Sequence, residues 1–284
     1  MILIDYSGIA ISAVVAQKLP PEENLLRHML LNSIRMYRKR YTKEYGEIVV
    51  ACDAPNTWRR AVFPYYKAKR REARKKDESG TDWSAIFEIM AKVQQEMSEN
   101  LPWTVLQIEG AEADDIIGTL AANTQEFGKH EPVMVVSSDK DFIQLQRYKN
   151  VAQYSPARKK LLAVDNAMEE LRNHILSGDS GDGIPNVLSD DDCFVTEGKR
   201  QKPLTKKMRA RLDSGELVEQ YMTNIERNIN LIDLTRTPAS LKSEIINKFE
   251  EQREAVKNNG SKTLPYLIEK QCKLLIEEVG DFIQ

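Results

Sequence analysis

Histidine and cysteine are scarce in this chain, three of each among 284 residues. The cysteines, Cys52, Cys193 and Cys272, lie far apart without metal-ligand spacing. That argues against a disulfide framework or a thiolate metal centre, and for buried thiols in a reducing cytoplasm. The histidines, His28, His130 and His174, form no ligand-like pair, and the helical patterns around His28 and His174 point to surface or core roles. Long apolar runs are missing too: none approaches the roughly 20 residues needed to span a bilayer. Met1 to Asp5 carries no basic region, which argues against a secretory signal. Nor does either charge sign dominate. At a net charge of −2 the whole protein is not a basic nucleic-acid binder, while 41% hydrophobic residues can bury a real core.

The neutral average hides two local concentrations: acids at short motifs along the chain, and bases between Arg59 and Lys76. The first 155 residues alternate short apolar runs with helical patterns. Ile2–Ile4, Ile48–Cys52, Thr104–Ile108 and Val133–Ser137 have the character of buried parallel strands, and Val151–Tyr154 is a weaker fifth. Between them, the spacing of Leu25 to Tyr41, with Gly46 beyond it, predicts a helix, as do Trp83 to Met97 and Ala113 to Ala121. This alternation predicts an α/β fold with a parallel sheet flanked by helices. After about residue 160 the pattern is helical, near 166–177, 204–212, 215–227, 239–257 and 264–279, with a basic loop at 199–207. The expected organisation is an α/β core over 1–160, containing a basic segment at 58–80, followed by a helical subdomain over 161–284.

Ligands of an open parallel sheet bind beyond the C-terminal ends of its strands. Asp5 follows the first strand and Asp53 the second. Glu112, Asp114 and Asp115 follow the third, at a helix start; Asp139 and Asp141 follow the fourth. One such aspartate is usually a cap or turn former. Four successive strands ending in acid are not explained that way. Seven carboxylates gathered at one edge stay ionised only with cations among them, and oxygen ligation favours magnesium or manganese over zinc. Two such ions can cleave a phosphodiester without a protein nucleophile or histidine base. The run Gly178-Asp179-Ser180-Gly181-Asp182-Gly183-Ile184-Pro185 is a second acidic motif, as compatible with a solvated turn as with a site.

From Arg59 to Lys76 there are nine bases and one acid, with Trp58, Phe63, Tyr65 and Tyr66 interleaved or adjacent. Exposed helix faces normally mix charge signs. Bases with aromatics suit phosphates and unstacked nucleobases, so Arg59, Arg60, Tyr66, Lys67, Lys69, Arg70, Arg71, Arg74 and Lys75 are candidate nucleic-acid contacts. The segment follows strand-end Asp53 and is expected to hang over the acidic edge. Over Tyr66–Lys75 a helix would put Lys67 and Arg70, three apart, on one face.

In order and spacing these motifs resemble the 5′ nuclease family, which includes flap endonucleases and the 5′ nuclease domain of bacterial DNA polymerase I. The pattern is most similar to the ribonuclease H subgroup of T-even-type bacteriophages. The carrying stretches are Leu3-Ile4-Asp5-Tyr6-Ser7, Cys52-Asp53, Glu112-Ala113-Asp114-Asp115, Ser137-Ser138-Asp139-Lys140-Asp141-Phe142 and Gly178-Asp179-Ser180-Gly181-Asp182. The resemblance implies a PIN-like, saddle-shaped α/β nuclease with a helical arch and a helix-turn-helix-like DNA-binding element. It implies a Mg2+-dependent 5′→3′ exonuclease and flap endonuclease with ribonuclease H activity, clearing RNA primers and adjacent DNA during replication. Asp5, Asp53, Glu112, Asp114 and Asp139 would serve a first metal, Asp141, Asp179 and Asp182 a second, and Asp115 would act nearby through water; Mn2+ would substitute for Mg2+. Tyr66, Lys67 and Arg70 match the arch pattern Tyr-Lys-x-x-Arg, which places Lys67 and Arg70 with Asp5, Asp53, Asp114, Asp139 and Asp141 in the catalytic set. The implied partners are duplex, flapped or forked DNA and RNA·DNA hybrid, with a single-strand DNA-binding protein and a sliding clamp of the replisome, in the host cytoplasm and away from membranes. After Pro185 the family's second glycine-rich turn is missing, so no monovalent-ion site is expected there, nor is a clamp-binding extension expected before the first strand.

Three rivals share parts of the pattern. A haloacid dehalogenase-type phosphatase needs a second Asp at the position of Ser7. A PIN-type ribonuclease has a similar acid set but normally lacks the basic arch and helical second half. An accessory that binds branched DNA without cutting it would be hindered by so many carboxylates.

Overall fold

In the computed structural model, residues 1–17, 22–75 and 81–283 are described. Six strands form one sheet in the order β3-β2-β1-β4-β5-β6: β1 is Ile2–Asp5, β2 Ile48–Cys52, β3 Thr104–Gln107, β4 Val133–Val136, β5 Val151–Ser155 and β6 Lys160–Leu162. The first five are parallel, so their C-terminal ends lie on one edge. The short antiparallel β6 was not anticipated; at three residues, with Leu161 exposed, it is too short for a strand pattern. Side chains alternate across β1. Ile2 and Ile4 join the core on one face, with helices α1 (Tyr6–Gln17), α2 (Glu23–Tyr45) and α5 (Trp83–Asn100), while Leu3 joins α6 (Ala113–Asn123) on the other.

Leu176, Val187, Leu188, Leu212 and Leu217 form a hydrophobic cluster of their own, while the last helices pack onto the sheet core. Helix α10 (Ala239–Ala255) puts Leu241, Ile245 and Phe249 into the α6 side of the core. Tyr266, Leu267 and Phe282, from α11 (Gly260–Glu269) and the terminal turn, close the opposite side. Trp103 stacks on Phe282 at 5.3 Å and donates its indole N–H to the Phe282 carbonyl. The helix expected at 215–227 instead runs from Met222 to Ile232, and the one expected at 264–279 breaks near Gln271, whose φ is 55°. No helix among the described residues is long and apolar enough to cross a membrane.

Candidate active site

The parallel order of β2, β1 and β4 sets Asp53, Asp5 and Asp139 side by side at the strand ends. Asp5 is bent back against the first turn of α1: the Gly8 N–H donates to its Oδ1 at 2.8 Å, and the Ser137 hydroxyl to its Oδ2 at 2.7 Å. A Cβ at residue 8 would lie 2.3 Å from Asp5 Oδ2, so only glycine leaves room for that carboxylate. The Asp53 carboxylate accepts from the Ala113 N–H at the start of α6, tying the second strand to Asp114 one residue on. Asp139 accepts from the Asp141 N–H. Asp179 and Asp182 arrive from the loop after α7 (Ala167–Ser177). There Gly178 has φ 67°, and an added Cβ would fall 2.4 Å from the Ile184 carbonyl. A cavity of about 490 Å³ opens between the two halves, lined by Asp5, Asp139, Asp141, Asp179 and Asp182 among others.

Burial, and secondarily Asp53, pushes the Asp5 carboxyl up to about 6. Burial and then Asp139 push Asp141 up to about 7, and the same two causes raise Asp114 well above the usual carboxylate range. Asp141 Oδ1 is buried and accepts no hydrogen bond. Such a group of buried oxygens with missing positive charge fits hard divalent cations.

Glu112 and Asp115 differ. Arg59, only 2% exposed, donates to both, at 2.9 and 2.8 Å. Asp115 is fully buried; it also accepts from Trp58 and Thr237 and closes a capping box with Glu112. Asp115 is therefore not open to a metal, directly or through water, and Arg59 is not open to nucleic acid: their charges cancel inside the protein. Tyr66 is equally buried, its hydroxyl donating to Glu112 and Asp182, so it offers no face for stacking a base. The expected helix over Tyr66–Lys75 is also corrected. Lys67 has φ 54°, and α4 runs only from Ala68 to Lys75. Lys67 and Arg70 nevertheless both reach the site. Lys67 Nζ lies 2.6 Å from Glu112 and 3.6 Å from Asp182; Arg70 lies 2.6 Å from Asp182. Burial opposes the Lys67 charge, but Asp182 and Glu112 outweigh it and hold the ammonium protonated. Lys69 is exposed; Arg60 and Arg71 are half-buried, donating to the carbonyls of Pro55 and Tyr66. The side chains of Arg74 and Lys75, and residues 76–80 of the basic segment, lie outside the described residues.

Residues 1–173 match the family described as "5′-3′ exonuclease, N-terminal resolvase-like domain", and residues 166–282 match "T4 RNase H, C terminal". Ribonuclease H of Enterobacteria phage T4 is 31% identical over 297 residues, covering 99% of this chain and 95% of the relative. The chain belongs to the 5′–3′ exonuclease family. It is a nuclease, a phosphodiester hydrolase. A 5′-3′ exonuclease of Buchnera aphidicola subsp. Schizaphis graminum is 30% identical over 148 residues, 49% of this nuclease and 47% of that one. In fold the nuclease is similar to a bacteriophage T5 flap endonuclease solved in a pseudo-enzyme-product complex with DNA and metal ions. The TM-score is 0.66 at 17% identity, over 89% of this chain and 98% of that one. A T5 5′-exonuclease with bound zinc gives 0.58 at 15% identity, over 100% and 99%.

Two site residues of this nuclease were missed from sequence: Lys140, whose Nζ lies 3.0 Å from Asp179, and His174. His174, on the last turn of α7, is neither a surface nor a core histidine. Its Nε2 lies 3.2 Å from Asp179 and its Nδ1 3.4 Å from Asp141. The available signal was its position four residues before Gly178, where a helix end aims at the acidic loop.

Proposed function

We propose that the protein is a divalent-cation-dependent 5′→3′ exonuclease and flap endonuclease with ribonuclease H activity. Its substrates are duplex, flapped or forked DNA and RNA·DNA hybrid, and its role is to remove RNA primers and adjacent DNA in the host cytoplasm during replication. The observation that carries this reading is the convergence of Asp5, Asp53, Asp114, Asp139 and Asp141 at one sheet edge, with the carboxyls of Asp5, Asp114 and Asp141 raised by burial and by their acidic neighbours, and with Lys67 and Arg70 reaching the same site. Asp5, Asp53, Asp114 and Asp139 would hold a first cation; Asp141, Asp179 and Asp182 would hold a second. Glu112 would join the first only after Lys67 leaves it, since both its oxygens are engaged by Lys67, Arg59 and Tyr66. Bound Mg2+ or Mn2+ would activate a water and offset the charge that develops on the departing oxygen.

The protein's own groups do the rest. Lys67 and Arg70 supply positive charge where an anionic backbone meets an acidic pocket, and stabilise the charge growing in the transition state. Lys69 and the bases further along α4, Arg71, Arg74 and Lys75, contact the backbone and contribute affinity that falls with salt. Single-strand-binding and sliding-clamp partners rest on the family resemblance.

A 5′-flap duplex, an RNA·DNA hybrid with a free 5′ end and a closed circular duplex, each incubated with Mg2+, test the reading. It expects release from the 5′ end of the first two and none from the circle. Cleavage confined to single-stranded RNA would favour a PIN-type ribonuclease, and binding without cleavage would favour the accessory.

A further inference from the structure

The two acid groups at the candidate active site are not chemically alike. Around Asp5, Asp53, Asp114 and Asp139 the donors are all oxygen. Around Asp141 and Asp179 there is also an imidazole, and the exposed Lys140, 3.0 Å from Asp179, is the cation a bound metal would displace. One atom each from Asp141, His174 and Asp179 lie within 4.8 Å of one another. Metal–ligand bonds of about 2.1 Å put neighbouring ligands of an octahedron about 3 Å apart, near the 3.2 Å between His174 Nε2 and Asp179. Asp141 Oδ1 is buried without a hydrogen bond and faces the other ring nitrogen, Nδ1, at 3.4 Å. A small cavity of about 50 Å³ adjoins the group, lined by Asp141, His174, Gln144 and Glu170 among others, with room for a water.

We propose that His174 contributes a ring nitrogen to the second cation, making that site a mixed nitrogen–oxygen centre that selects a transition-metal divalent ion over Mg2+ or Ca2+. The inference rests on the nuclease reading above and assigns the metal preference of one half of its site. The chemistry is general. Imidazole strengthens binding of first-row transition metals, whereas Mg2+ and Ca2+ prefer oxygen. The first site, with no imidazole near it among the described residues, lacks that nitrogen contribution. At low Mn2+ the second site therefore fills first.

Pulsed electron paramagnetic resonance of the full chain with one equivalent of Mn2+ tests this without relying on turnover. The expected result is a 14N coupling that changes on 15N-histidine labelling and disappears in His174→Gln. The other two histidines sit elsewhere, His28 within α2 and His130 in an exposed loop hydrogen-bonding Gln125. Mn2+ affinity at that site should fall roughly 10-fold or more in His174→Gln, while Ca2+ affinity changes by less than about 2-fold. If His174→Gln does not fold, the labelled wild type still decides the matter. Oxygen-only coordination in the wild type, a coupling that survives in His174→Gln, or no Mn2+ bound at one equivalent would each overturn the proposal. Oxygen-only coordination together with intact flap cleavage would overturn it and leave the nuclease reading standing. Absence of cleavage with any divalent ion would sink that reading instead.

Discussion

Asp114 and Asp115 are adjacent on the first turn of α6, yet their electrostatic surroundings are opposite. Asp115 points inward to Arg59, Trp58 and Thr237, and with Glu112 forms a closed set of charges and hydrogen bonds. Asp114 sits among Asp139, Glu112 and Asp141, and the opposing charge of Lys67 does not offset burial and Asp139. For Glu112, burial alone would raise the carboxyl, but Lys67 and Arg59 hold it below its ordinary range; for Asp114, burial and Asp139 act together and raise it. The comparison teaches how to divide an acidic cluster. A carboxylate locked to a buried cation, as Asp115 is to Arg59, is structure. Carboxylates buried among other acids, as Asp5, Asp114 and Asp141 are, are waiting for ions, and Asp179 and Asp182, whose partners Lys140 and Arg70 are themselves exposed, can exchange them for one.

The largest effect should come from the uncompensated side. Asp139→Asn or Asp5→Asn should lower the single-turnover rate on a flap by roughly 10³-fold or more. Folding should be retained, because removing one charge from a repulsive set does not destabilise the metal-free protein. Wild-type turnover in either variant breaks the comparison. The compensated side should behave in reverse. Arg59→Ala leaves Glu112 and Asp115 buried without their partner and should cost about 3–5 kcal/mol in denaturant unfolding; an unchanged midpoint would show that Arg59 holds nothing together. Lys67 stands between the two groups. Lys67→Ala should slow single-turnover cleavage by roughly 10²-fold and change duplex affinity much less. A loss of affinity with an unchanged rate would make it a docking residue.

The smallest effect concerns pH. A carboxyl whose pKa is raised on folding has no effect on stability below its ordinary value, and destabilises as pH climbs through the raised one. Asp5 and Asp141 are raised from 3.8 to about 6 and about 7. The metal-free protein should thus lose stability between pH 4 and about 7, and saturating Mg2+ should flatten the slope. Asp179 shifts the opposite way, with His174 and Lys140 outweighing its burial, so it matters only in the acid range. Thermal unfolding at pH 5 and pH 8, with and without Mg2+, measures this.

The sheet was legible because buried parallel strands are short β-branched runs, and the acids at their ends needed only strand order to converge. Helix α1 was not, because Tyr6–Gln17 is apolar nearly all round and shows no helical stripe. Arg59 was misassigned for a related reason: its partners Glu112 and Asp115 lie 53 and 56 residues away, so a basic run that faces solvent in part looks uniform in sequence. Likewise, Tyr66 reads as a stacking aromatic until the fold brings Asp182 to its hydroxyl. The docking of Phe282 on Trp103 leaves no local trace at all.

The central claim, that the carboxylates at the strand ends and on the loop after α7 hold two cations that act together in cleavage, is tested most directly by the Mg2+ dependence of single-turnover flap cleavage. The account predicts no cleavage in chelator and a rate that rises, at low Mg2+, with about the second power of concentration. A rate that persists in chelator, or that rises only with the first power at every concentration, would contradict it.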